Sequence, residues 1–250
     1  TDCKEINWHS TRLDRMMNIR AYGKASGVPI LVFPTQDAMS DNFENFGMIE
    51  AMSEDLRSGR IQLFCVDTVD IETWSNIWGD KEWRARRQEQ YYGYIIDEVV
   101  PRIHKENTSK RLPIAAGCSL GGLHAAIVFF RRPDLFGGVL ALSGVYDAKF
   151  FTDGWMDGML YENSPLDFLS NMPADHPYIE LYNQRRIVLC VGQGAWEDEG
   201  RRTTALMGDV LYRKGIHAWV DFWGYDVDHD WAWWKNQFSY FLPFMLGEQV

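Results

Sequence analysis

The chain predicts an α/β fold, a mostly parallel central sheet with helices on both faces. Short, continuous β-branched and aliphatic runs alternate with longer amphipathic stretches from end to end. Several of these runs are apolar at every position, as strands buried on both faces must be. No repeat or linker interrupts the alternation, and 250 residues is within the range of one α/β domain, so residues 1–250 are expected to form a single domain.

The elements follow in order. Alternating apolar positions at Met17, Ile19 and Ala21 predict an outer strand that ends before Gly23. Residues 29–33 read Pro-Ile-Leu-Val-Phe and are closed by Pro34, a buried strand. A helix is expected over 43–57, ending near Ser58 and Gly59, followed by a strand at 61–66. The turn region 67–80 holds Trp74, Asn76 and Trp78. Tyr92, Ile95, Ile96, Val99, Val100 and Ile103 form a helical stripe within 82–105. A strand at 112–116 precedes a helix at 120–130 that stops before Pro133, and 138–142 is the next strand. Residues 144–184 lose periodicity and gain Gly, Asp, Asn and Pro, which predicts a cap-like or pocket-lining insertion. A strand at 187–191, a helix near 200–214, a last strand at 216–223 and a terminal helix bearing Trp234, Phe238, Phe241, Leu242 and Met245 complete a set of seven strands.

Hydrophobic residues are 46% and charged residues 24%, which excludes disordered and low-complexity classes. A net charge of -10 with no long basic run argues against nucleic-acid and anionic-membrane partners. The four cysteines are widely spaced and form no C-x-x-C pair, a pattern suited to buried thiols in a reducing, cytoplasmic compartment. Neither a signal-peptide pattern nor an apolar run of membrane-spanning length occurs. Five of the 11 tryptophans fall between Trp219 and Trp234, which suggests an aromatic buttress around the last strand and the start of the terminal helix.

In a sheet of this kind, sites form at the carboxyl ends of strands. There the chain reads Gly117-Cys118-Ser119-Leu120-Gly121, a G-x-S-x-G motif with a strand before it and a helix after it. The turn lifts Ser119 above the sheet as a candidate nucleophile, while Cys118 points into the core. A serine hydroxyl needs a base, and His229 in the loop after the last strand is the candidate. The acid belongs after the penultimate strand, where Glu197, Asp198 and Glu199 adjoin. Glu197 is the first choice and Asp198 the alternative. The oxyanion hole would use the backbone N–H of Leu120 and one from the loop 34–37. Gln36 is the candidate there, with Thr35 and Asp37 as alternatives. Trp74, Asn76, Trp78, Asp147, Phe151 and Trp155 are expected around the substrate pocket. No metal or cofactor is called for, because Asp226, Asp228 and Asp230 lack the remaining ligands of a calcium loop.

These motifs resemble a family of esterases that includes esterase D (S-formylglutathione hydrolase), feruloyl esterases, enterochelin esterases and the antigen 85 mycolyltransferases. The resemblance rests on residues 117–125 with 129–136, on 192–198 and on 224–231, and it extends from the strand near Pro29 to the terminal helix. It implies an α/β-hydrolase fold with serine, acid and histidine at Ser119, Glu197 and His229. The loop that often reads His-Gly in that family is Pro34-Thr35 here, so the pocket shape is expected to differ. The implied activity is hydrolysis of a carboxylic ester, of a sugar or an aromatic acid, on a small-molecule or carbohydrate-linked substrate. An acyltransferase with the same residues, or a binding protein that keeps the fold, remain the alternatives, and the oligomeric state is open.

Overall fold

The computed structural model describes residues 2–249 of the chain. Its strands are β1 (Cys3–Ser10), β2 (Arg15–Gly23), β3 (Val28–Phe33), β4 (Ile61–Val66), β5 (Ile114–Cys118), β6 (Gly138–Leu142), β7 (Arg186–Val191) and β8 (Trp219–Phe222). They form one eight-stranded sheet in the order β1-β2-β4-β3-β5-β6-β7-β8. The pairs β1–β2 and β2–β4 are antiparallel, and every other neighbouring pair is parallel.

The helices are α1 (Asn42–Asn45), α2 (Met48–Ala51), α3 (Ser53–Ser58), α4 (Lys81–Tyr94), α5 (Val100–Glu106), α6 (Leu120–Arg131), α7 (Gly158–Glu162), α8 (Pro165–Ser170), α9 (Pro177–Asn183), α10 (Asp198–Arg213) and α11 (Trp231–Leu246). Side-chain parity along each strand divides the core into two layers. Leu31, Phe33, Phe64, Ala115, Val139 and Leu189 face the layer built with α4, α5, α6 and α10. Ile30, Val32, Leu63, Ala116, Leu140 and Val188 face the opposite layer, with α1 to α3 and α11. Both faces are apolar because both are covered, which is why the central strands carry no alternation.

Three expectations are corrected. The edge strand β1 was missed: most of Cys3–Ser10 is exposed, and only Ile6 and Trp8 pack against the core. The single helix expected over 43–57 is three short ones. Gly47 takes a left-handed φ of 79° between the first two, and Met52 leaves helical geometry before the third. The long helix over 82–105 widens into a π-helical turn at Ile95–Val99. Pro101, just inside α5, has no N–H to give to the preceding turn, and the wider turn accommodates it. The irregular stretch 144–184 holds a 3-10 turn at Ala148–Phe151 together with α7, α8 and α9.

The chain runs from β3 outward to β4 and then returns to place β5 on the other side of β3. The carboxyl ends of β3 and β5 therefore meet where the strand order reverses, the position at which such sheets open a crevice.

Candidate active site

Ser119 is the single residue between β5 and α6, with φ 59° and ψ −127°. Its N–H is held by the carbonyl of Leu142 at 2.8 Å. Two glycines permit the turn. A Cβ at Gly117 would lie 2.3 Å from the Gly121 backbone, and one at Gly121 would lie 2.4 Å from the carbonyl oxygen of Phe33. The turn thus compresses β3, β5 and α6 together and lifts the serine into the crevice. Cys118 is fully buried, and burial pushes its thiol well above the ordinary range, so it stays protonated in the core.

The hydroxyl of Ser119 lies 2.7 Å from Nε2 of His229. Nδ1 of the same ring faces Oε2 of Glu197 at 3.3 Å, longer than the usual charge-assisted bond. Glu197 is 1% exposed. Its other oxygen accepts the Ser143 hydroxyl at 2.6 Å, and the Ser143 oxygen accepts Nε1–H of Trp234 at 3.0 Å. Trp234 meets the imidazole edge-on at 4.8 Å between ring centroids. The His229 loop is fastened to the loop before Glu197: His229 N–H donates to the Ala195 carbonyl, and Asp228 accepts from the Ala195 N–H. Asp198, the alternative acid, is the exposed first residue of α10 and makes no bond to His229.

At the carboxyl end of β3, the Thr35 N–H is occupied by Oδ1 of Asn42 at 3.0 Å. That leaves Gln36 and Asp37, of which Gln36 lines the cavity. Ser75 clamps this loop from outside, accepting from the Gln36 amide and donating to the Asp37 carboxylate. On the other side, the Leu120 N–H belongs to the first turn of α6 and has no partner within the helix.

These groups open into a cavity of about 520 Å³ whose walls include Val145, Phe150, Phe151, Trp196, Asp198 and Glu199. Of the side chains expected around the pocket, Phe151 lines it. The others lie elsewhere. Trp74 packs beneath the cavity against Leu120, Leu123 and Ile127, with Trp155 on the margin of the same cluster. Trp78 is 94% exposed, and the Asn76 amide bonds back to the Glu72 carbonyl. Asp147 caps the 3-10 turn and pairs with Lys149. Short-range turn bonds and packing decide these positions, and neither shows in a strand-end count. Phe150, next to Phe151 at the start of the insertion, also lines the cavity, and Trp196 was missed. The tryptophans from 219 to 234 build the buttress and stay off the cavity wall: Trp219 packs on Phe241, Trp223 on Tyr240, Trp231 on Phe46, and Trp234 behind His229.

Three of the other five histidines are engaged away from the cavity. His124 is buried and bonded to Asp70 at 2.7 Å, and Nδ1 of His176 caps α9. His9 pairs with Asp14 at the surface.

Comparison with known structures agrees with this architecture. FphF of Staphylococcus aureus, a fluorophosphonate-binding serine hydrolase, superposes with a TM-score of 0.71 at 17% identity, over 98% of each chain. A ferulic acid esterase gives 0.73 at 16% identity, covering 98% of both chains. An S-formylglutathione hydrolase from Agrobacterium tumefaciens gives 0.73 at 14% identity, over 98% of this chain and 95% of that one. At such identities the likeness establishes the α/β-hydrolase fold. No curated protein sequence matches the chain. The family model described as Putative esterase matches residues 10–245. Nearly the whole chain is covered by that match, and the protein belongs to this family of ester-hydrolysing serine hydrolases.

Proposed function

We propose that the protein is a serine carboxylesterase that cleaves an uncharged ester through an acyl-enzyme. The observation that carries this reading is the hydrogen-bonded series Ser119–His229–Glu197, buried at its acid end and open to the cavity at its serine end. Ser119 Oγ bonds to the ester carbonyl carbon as its proton passes to His229 Nε2. The N–H groups of Leu120 and Gln36 receive the oxyanion. Collapse of this intermediate breaks the C–O bond, and the departing alkoxide takes the proton from His229. Water then attacks the acyl-serine with His229 as base, and the acid leaves. Glu197, held by Ser143, orients the imidazole and stabilises its protonated form.

Substrate charge is read from the walls. Among the described residues, no Lys or Arg lines the cavity, whereas Asp198 and Glu199 do. With the net charge of -10, this favours a neutral small-molecule or carbohydrate-linked ester over an anionic one and argues against a nucleic-acid partner. The four cysteines are free, three of them buried, which suits a reducing compartment. Among the described residues, no helix is long and apolar enough to cross a membrane.

The test is hydrolysis of p-nitrophenyl acetate, together with labelling by a fluorophosphonate probe. Ser119→Ala and His229→Ala should each lower kcat/KM by about three orders of magnitude or more, and Ser119→Ala should abolish labelling. Wild-type turnover by either variant refutes the assignment.

A further inference from the structure

Trp196 combines two unfavourable features at one position. Its φ is 64°, a left-handed conformation that is uncommon for bulky residues and that glycine adopts at no steric cost. Its side chain is 89% exposed, so the indole gains almost nothing from packing. The backbone there has little freedom to relax. Ala195 before it is bonded to Asp228 and His229, and Glu197 after it is buried against Ser143 and His229. A glycine would make the same turn more cheaply. Strain of this kind, kept beside a reactive centre, points to a function for the side chain. Trp196 lines the cavity, and Val145, Phe150 and Phe151 from the insertion line it too.

The polar side chains of the same wall are largely committed to partners that do not line the cavity. Glu199 accepts from Arg202, the Gln36 amide donates to Ser75, and Ser143 is shared between Glu197 and Trp234. Among the described residues, the Asp198 carboxylate and the Trp196 indole N–H are the polar side-chain groups of the wall without a hydrogen-bond or ion-pair partner. Ring faces are available in this cavity, while donors and acceptors for a set of sugar hydroxyls are few. An aromatic ring buries a large area and gains further from offset or edge contacts with other rings.

We infer that Trp196 is the specificity-determining residue of the site, a platform on which an uncharged aryl group of the ester stacks, on its acyl or its alcohol side. This rests on the esterase reading above. The test compares two matched pairs, phenyl acetate with ethyl acetate and methyl cinnamate with methyl butyrate, and adds peracetylated glucose. In Trp196→Gly, the aryl-over-alkyl ratio of kcat/KM should fall about tenfold in at least one pair, with the change carried by KM. Trp196→Phe should restore most of it. Because the glycine relieves the left-handed strain, Tm should hold or rise. Unchanged ratios in both pairs overturn the inference, as does a greater loss on the acetylated sugar than on the aryl esters. Failure of the esterase reading is separable, because the wild type would then hydrolyse none of these esters, or Ser119→Ala would hydrolyse ethyl acetate as fast as the wild type.

Discussion

Ser119 and Ser143 both hold left-handed backbone, with φ of 59° and 55°. Each such residue costs on the order of 1–3 kcal/mol and persists only where its surroundings over-determine it. Both are fixed by N–H bonds to the next strand, Ser119 to Leu142 and Ser143 to Cys190, each at 2.8 Å. The strain at Ser119 aims a hydroxyl at His229, and the strain at Ser143 aims one at Glu197. Ser143→Ala leaves a buried carboxylate oxygen and the Trp234 N–H without a partner, so stability should fall by about 1–3 kcal/mol. It should also lower kcat for p-nitrophenyl acetate about tenfold with little change in KM, because the acid acts on a charge that develops only during turnover. Steady-state kinetics and a urea melt check both, and wild-type kcat would show that Glu197 is held well enough by His229 alone. Ser119, Glu197 and His229 were legible in the chain because their chemistry is tied to a motif and to strand order. Ser143, Ser75 and Trp196 were not, since a lone serine or tryptophan carries no local pattern that reports its partner.

The edge element β1 shows the same limit one level up. Its outward residues are polar, and what fastens the β1–β2 hairpin is a side chain from the π-helical turn. The Glu98 carboxylate accepts from Trp8 Nε1 at 3.0 Å, Ser10 Oγ at 2.8 Å, and the backbone N–H groups of Thr11 and Arg12 at 3.2 Å each. Partial burial opposes ionisation of Glu98, but these bonds outweigh it and hold the carboxyl below its ordinary value of 4.5. A carboxyl depressed in the folded state stabilises the fold above its unfolded pKa, and that contribution is lost as pH falls through the folded value. Glu98→Gln should therefore lower stability at pH 7 by about 1–3 kcal/mol. Its Tm difference from wild type should narrow below pH 4.5. A gap that stays constant down to pH 3 would mean that the carboxylate charge does not fasten the hairpin. The helical stripe from Tyr92 to Ile103 was readable, but the π turn within it was not. One extra residue per turn barely changes the order of apolar positions, although it decides where Glu98 points.

Across the whole molecule, burial separates the cysteines by their access to reagents. Cys65, Cys118 and Cys190 lie buried in the layer under α11, whereas Cys3 is exposed on the edge strand; partial desolvation raises the Cys3 thiol as well, so access and not ionisation sets the four apart. Iodoacetamide should add one label to the native protein and four after unfolding in urea, counted by mass. Two or more labels on the native chain would reveal an opening of that layer that the packing does not predict.

The amino-acid sequence by itself determined the α/β class, the order of the central strands along the chain and the residues able to act as nucleophile, base and acid. Those features are local: apolar runs of strand length, two glycines where three backbones crowd, and a histidine placed after the last strand. It put Glu197 first and kept Asp198 as the alternative, because adjacent carboxylates differ only in which one the turn at Trp196 directs inward. Tertiary structure alone decided which of the two carboxylates faces His229, along with the clamp of Ser75 on the loop after β3 and the identity of the cavity walls. Each depends on contacts between segments far apart in the chain: Ser143 with Glu197, Glu98 with Trp8, Ser75 with Gln36. Pairings of that kind have no periodicity to read, and they form only when the sheet brings its loops to one edge.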